Sequence, residues 1–126
     1  KGSFVDTVFE DNIATDRLPM VTINCDLSFE NVTIRRNRGK TLTDGLLIDS
    51  SSLTATNLVM KSQGGSDRTA FLILLSSTVV VTASKFKDSV GTSSIAARYT
   101  NSLIFDGCTF ENLVSQTTNG AITVYD

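Results

Sequence analysis

Few side chains in this sequence could do chemistry. There is no histidine and no tryptophan, and the two cysteines, Cys25 and Cys108, lie far apart. Lack of histidine removes the usual general base near neutral pH and the commonest zinc ligand. Thirteen carboxylates and eleven Lys or Arg remain, beside 32 Ser and Thr. Cleaving a uronide or glycoside takes two carboxylates on one face, or a calcium cluster with a base. The one dense basic run is Arg35-Arg36-Asn37-Arg38-Gly39-Lys40. Such a run suits an anionic glycan, a lipid head group or a nucleic acid. No aromatic residue is interleaved for base stacking, and Glu10, Asp11 and Asp44 are available to balance it. The run therefore reads as a solvated, neutralised loop. Asn31-Val32-Thr33 is a glycosylation sequon.

Composition narrows the classes further. The 126 residues carry a formal charge of -2, with 40 % hydrophobic and 19 % charged residues. A general nucleic-acid binder needs an excess of basic residues, so no nucleic-acid partner is expected. The apolar content is too high for a disordered tail. No apolar run approaches the ~18 residues of a membrane span, so direct membrane insertion is not expected. Neither a metal nor another cofactor is implied. The chain opens on Lys1-Gly2-Ser3-Phe4 without a methionine or a signal-like stretch, and the expectation is a processed or excised piece of something longer. Two cysteines are too few for a disulfide framework.

What must position these residues is a repeat. Phe9, Ile34, Met60, Phe86 and Phe110 recur at spacings of 25, 26, 26 and 24. Five residues before each stand Phe4, Phe29, Ala55, Val81 and Phe105; two before stand Thr7, Val32, Leu58, Ser84 and Cys108. Alternation with period two around each anchor marks short strands with one buried face. A further strand follows each loop, with inward pairs expected at Val21 and Ile23, Leu46 and Ile48, Leu72 and Leu74, Ile95 and Ala97, and Ile122 and Val124. Repeats of this length made only of strands predict a solenoid whose turns stack in parallel. About five turns at ~4.8 Å each give a rod on the order of 24 Å long.

One column breaks the alternation. Three residues before each anchor stand Asp6, Asn31, Asn57, Ala83 and Gly107. Asn, Asp and Gly best tolerate a left-handed backbone, so this column is read as a structural corner. An antiparallel sandwich also uses short strands, but it has no reason to keep such a column at fixed phase. A glycan on Asn31 would disrupt the corner, so modification is not expected.

This register leaves Met20, Thr22, Asn24, Leu47, Asp49, Phe71, Ile73, Leu75, Ser94, Ala96, Arg98, Ala121, Thr123 and Tyr125 outward on the strand after the loop. Asp49 and Arg98 are its only charges, two turns apart, so no catalytic residue is assigned. Leu47, Phe71, Ile73 and Leu75 form an apolar outward cluster, a candidate lateral contact patch.

Phe9-Glu10-Asp11-Asn12 and Gly120-Ala121-Ile122 resemble the FxxN and GGA(I/L/V) motifs of chlamydial polymorphic membrane protein repeats. The unit from Leu27 to Ile34, with its Asn31 corner, is similar to the pectate-lyase-type β-helix. The resemblance implies a right-handed parallel β-helix in an extracellular or cell-surface protein. Residues 1–126 are accordingly expected to be one β-helix segment without evident caps, belonging to a longer β-helix. The expected role is a structural or interaction module: a stalk, adhesin or filament component. The alternative is a non-catalytic portion of a carbohydrate-active β-helix. Expected partners are further turns or subunits at both ends, and a protein or glycan on a lateral face. Cys25 and Cys108, about three turns apart, are expected to stay unbridged.

Overall fold

The computed structural model describes residues 1–15, 20–39, 44–61, 69–99, 102–116 and 120–125, with the backbone alone at 69, 70, 72 and 73. The described residues form three parallel five-stranded sheets, one strand per turn in each, and no helix. The first sheet stacks β1 (Gly2–Val5), β4 (Asp26–Glu30), β7 (Ser52–Thr56), β10 (Thr78–Thr82) and β13 (Ser102–Asp106). The second stacks β2 (Val8–Glu10), β5 (Thr33–Arg35), β8 (Val59–Lys61), β11 (Lys85–Gly91) and β14 (Thr109–Ser115). The third stacks β3 (Met20–Ile23), β6 (Leu46–Asp49), β9 (Thr69–Leu75), β12 (Ser93–Arg98) and β15 (Ile122–Tyr125). The chain is a right-handed parallel β-solenoid of four to five turns: the repeat predicted the parallel stacking, and the resemblance implied the hand.

The repeat spacing becomes register. Phe4 pairs with Phe29, and Phe9 with Ile34. Ile34 pairs with Met60, and Met60 with Phe86. Inward residues of the three sheets meet in one core, where Phe29, Ile34, Leu53, Leu58, Met60 and Phe86 are at most 1 % exposed. Burying a side chain of this size contributes roughly 1.5–3 kcal/mol, and no turn alone could do it. Aromatic rings bracket the rod. Phe4 stands edge-on to Phe9 and Phe29, and Phe105 to Phe86 and Phe110.

Three columns of left-handed residues turn the chain, where the repeat pattern suggested one. Asp6, Asn31, Asn57, Ala83 and Gly107 have φ of 49°, 54°, 54°, 47° and 59°. Asp11 and Arg36, just after β2 and β5, and Asp88 and Asn112, within β11 and β14, form a second column. Asn24, Ser50, Ser76 and Tyr99 form a third, between the third sheet and the first. At the corners, hydroxyls replace ladder partners. Ser51 and Ser77 accept from the backbone N–H of Cys25 and Ser51, and Ser84 from that of Leu58. Each also donates to a carbonyl two residues back in its own chain. These three serines are buried, satisfying amides that a corner would orphan.

Three expectations about the third sheet fail. Met20 pairs with Leu46 and Thr22 with Ile48, so Met20 and Thr22 face inward. Val21 and Ile23 face out, 45 % and 55 % exposed. The first loop is one residue shorter than the next two, and a one-residue slip exchanges the faces of a strand. Phe71 is not outward either: it is fully buried and packs 5.8 Å from the Phe86 ring. The β9–β12 register shifts between Ser93 and Ile95, so an extra residue in β9 breaks the alternation beside Phe71. Ser94, expected outward, is instead buried opposite that irregularity, its hydroxyl bonded to Ser89 Oγ at 2.8 Å.

Candidate functional site

The outer face of the third sheet is built from two columns. Register aligns Val21, Leu47, Ile73, Ala96 and Thr123 in one, and Ile23, Asp49, Leu75, Arg98 and Tyr125 in the other. Leu47 and Ala96 are 7 % and 8 % exposed and form an apolar cluster with Leu75, separate from the main core. Of the expected patch, Leu47 and Leu75 thus lie together on this face. Ile73 holds the register position between Leu47 and Ala96, and Phe71 is lost to the core. Val21 and Ile23 extend the face by a turn, which the wrong phase of the first loop had hidden.

Charge on the face is sparse and separated. Asp49 accepts a hydrogen bond from Ser50 Oγ at 2.9 Å. The Arg98 guanidinium lies 4.8 Å from the centroid of the Tyr125 ring, a cation–π contact. Asp49 is the one carboxylate of the two columns. Among the described residues no group of three His, Cys, Asp or Glu could hold a metal ion.

Around the corner toward the first sheet runs a shallow groove of about 530 Å³. Asn24, Asp26, Ser50, Ser52, Ser76 and Thr78 are among its lining residues. Ser52 Oγ donates to Asp26 Oδ1 at 2.5 Å. Polar hydroxyls at one-turn spacing could hydrogen-bond a sugar, but no paired carboxylates stand there to cleave one.

Two cations of the basic run, Arg35 and Arg36, are spent on structure. Arg35 Nε donates to Glu10 Oε2 at 2.6 Å, and Arg36 grips both Asp11 oxygens, at 2.8 and 2.6 Å, while reaching Glu10. The hydrogen bond from Arg36, reinforced by the charges of Arg36 and Arg35, holds the Asp11 carboxyl below its ordinary range against some desolvation. The reciprocal bond raises the Arg36 pKa. Asn37 is buried: its Oδ1 accepts from Asn12 N and Nδ2, and its Nδ2 donates to Phe9 O. Asp44, expected to balance the run, is buried and accepts from Gly39 N at 2.8 Å. Lys40 lies outside the described residues. Lys61 and Lys87, adjacent in register, are relieved by Asp88, 3.9 Å from Lys61 Nζ.

The corner column is a directional amide ladder. Asn57 Nδ2 donates to Asn31 Oδ1 at 2.8 Å, and Asn31 Nδ2 to Asp6 Oδ1 at 3.0 Å. The sequon amide is thus bonded on both sides. Cys25 and Cys108 are both free, and Cys108 Sγ contacts the Val81 and Asp106 carbonyls. No family model matches the chain, and neither does any curated protein or solved structure. What the chain shares with the pectate-lyase-type and polymorphic-membrane-protein-type repeats is therefore stated at the level of fold: it is a parallel β-solenoid.

Proposed function

We propose that this chain is a structural and interaction module of a secreted or cell-surface β-helix protein, serving in a stalk, adhesin or filament wall. The observation that carries this reading is the outer face of the third sheet, apolar at Val21, Ile23, Leu47, Leu75 and Ala96. A polysaccharide-cleaving face would need two carboxylates within about 5–10 Å of one another, or a cluster of acidic ligands for calcium beside a base, whereas the two columns of this face carry Asp49 as their one carboxylate. Stacked turns tied by continuous ladders make a stiff rod, suited to holding such a face at a fixed place. On this reading the ends meet further turns or subunits, and no cofactor, nucleic acid or membrane insertion is involved. Incubation with pectin, alginate and related polyuronides tests it. No new reducing ends or unsaturated products are expected; clear turnover overturns the proposal.

A second reading, a non-catalytic portion of a carbohydrate-active β-helix, is favoured by the hydroxyl-lined groove at Asp26 and Ser52. Oligouronides that shift the amide resonances of Asn24, Asp26 and Ser52, without being cleaved, would select it.

A further inference from the structure

The apolar face of the third sheet is self-complementary. We propose that it pairs with the same face of a second copy, the two rods antiparallel about a two-fold axis running along β9. The inference rests on reading the chain as an interaction module and names its lateral partner. Register supplies the argument. The second column reads Ile23, Asp49, Leu75, Arg98, Tyr125 from the first turn to the fifth. Reversing the turn order across the axis sets Asp49 opposite Arg98 of the second copy, and Arg98 opposite its Asp49. Leu75 then meets Leu75 at the centre, and Ile23 meets Tyr125 at each end.

A parallel arrangement is selected against. It would press Asp49 on Asp49 and Arg98 on Arg98, and like charges across an interface cost affinity and fix orientation. A rotation that crosses the columns would bury Asp49 against Leu47. Only the antiparallel two-fold sets opposite charges against each other, and it is the isologous symmetry that most homodimers use. Arg98 is exposed and already held over Tyr125, so its guanidinium is oriented before a partner arrives.

The face spans on the order of 24 Å along the rod and about 13 Å across, smaller than the roughly 800 Å² per partner of a stable complex. A weak pair is therefore expected, half-formed near about 0.1 mM. Sedimentation velocity and small-angle scattering test it from about 0.01 to 1 mM on the Phe110→Lys chain, whose charged fifth-turn face blocks end-to-end growth, with the substitutions below made in that background. The expected result is a doubling of mass with little gain in length, since end-to-end stacking would double the length instead. Asp49→Arg alone and Arg98→Asp alone should each weaken pairing by about a hundredfold. An equimolar mixture of the two single variants should pair again, as should the double variant with itself. Circular dichroism melts matching wild type would show that the singles still fold. A chain that stays monomeric at 1 mM, lengthens only end to end, or dimerises regardless of these charges overturns the proposal. Such a failure without turnover of polyuronides leaves the structural-module reading standing; turnover with an intact dimer does the reverse.

Discussion

At the scale of single residues, the corners decide the cost of this fold. Among the described residues, twelve other than glycine hold φ between 47° and 56°, Ala83 and Tyr99 included. A left-handed backbone costs an ordinary L-residue roughly 1–2 kcal/mol, less for Asn and Asp. Ala83 also interrupts the amide ladder that runs from Asn57 through Asn31 to Asp6. Ala83→Gly should therefore stabilise by about 0.5–1 kcal/mol, and Ala83→Asn by at least as much, because a new amide can donate to Asn57 Oδ1. Asn57→Val should cost about 2 kcal/mol or more, combining strain at a branched Cβ with a lost hydrogen bond. Urea melts check all three; a loss of stability in Ala83→Gly would contradict the strain argument. Asp11 makes a separate prediction in pH. Its folded pKa is depressed, so its pairing with Arg36 contributes fully above the unfolded value near 3.9 and is lost as pH falls through the folded value. Asp11→Asn keeps a residue that tolerates φ 55° but cannot ionise. The stability gap between wild type and this variant should be open at pH 7 and narrow progressively as pH falls below about 3.9. A gap independent of pH would show that the pair contributes nothing through charge.

At the scale of elements, Gly45 is the tightest constraint. A Cβ built there would lie 2.0 Å from Phe71 O and 2.8 Å from Phe71 C, both backbone atoms. Gly45→Ala must push β6 away from β9 and open the core around Phe71, with an expected cost of about 3 kcal/mol or more. A variant that melts with wild type would show that the two strands are not so close. The same pair of strands explains what the sequence showed and what it hid. The anchors from Phe9 to Phe110 and the Asn31–Asn57 column are legible because stacking repeats one environment at one spacing. Loop length is not legible in that way. Met20 follows Phe9 by 11 residues where Leu46 follows Ile34 by 12, and Val21 and Ile23 are as apolar as any inward pair. Nothing in the residue types reports that slip; it appears only when β3 pairs with β6. Phe71 was hidden by the irregular register of β9, and the second and third corners by their mixed residues, Arg36 and Tyr99 included. The internal amide of Asn37 did carry a signal, the FxxN spacing from Phe9 to Asn12, whose physical content is the Asn12–Asn37 bond inside the rod.

For the whole molecule, stability is shared between neighbouring turns, so the first and fifth described turns lack on one side what the middle ones have on two. Phe29 and Phe86 are at most 1 % exposed, while their ladder partners Phe4 and Phe110 stand at 38 % and 37 %. Val124, in register with the buried Ala97, is 64 % exposed. The backbone edges are open as well. Each first-corner N–H from Asp6 to Ala83 donates to a carbonyl of the following turn, so the Gly107 N–H awaits one more. The two open faces match in phase: Phe105 and Phe110 have the five-residue spacing of Phe4 and Phe9, astride a left-handed corner in each case. A fifth turn laid on the first turn of another molecule would continue both the aromatic ladder and the hydrogen-bond ladder. Exposed strand edges of this kind recruit further strands. The 126-residue chain, prepared by itself, is therefore expected to associate end to end with a steep concentration dependence. Blocking one edge should cap growth: Phe110→Lys sets a charge on the open face and should leave a species that cannot extend from its fifth turn. Analytical ultracentrifugation separates the outcomes, because wild type should form lengthening rods and the variant should not. A wild-type chain that shows no elongation at high concentration while unfolding cooperatively would mean that its terminal turns are stable without a neighbour, and that stacking on further turns is not what the open faces are for.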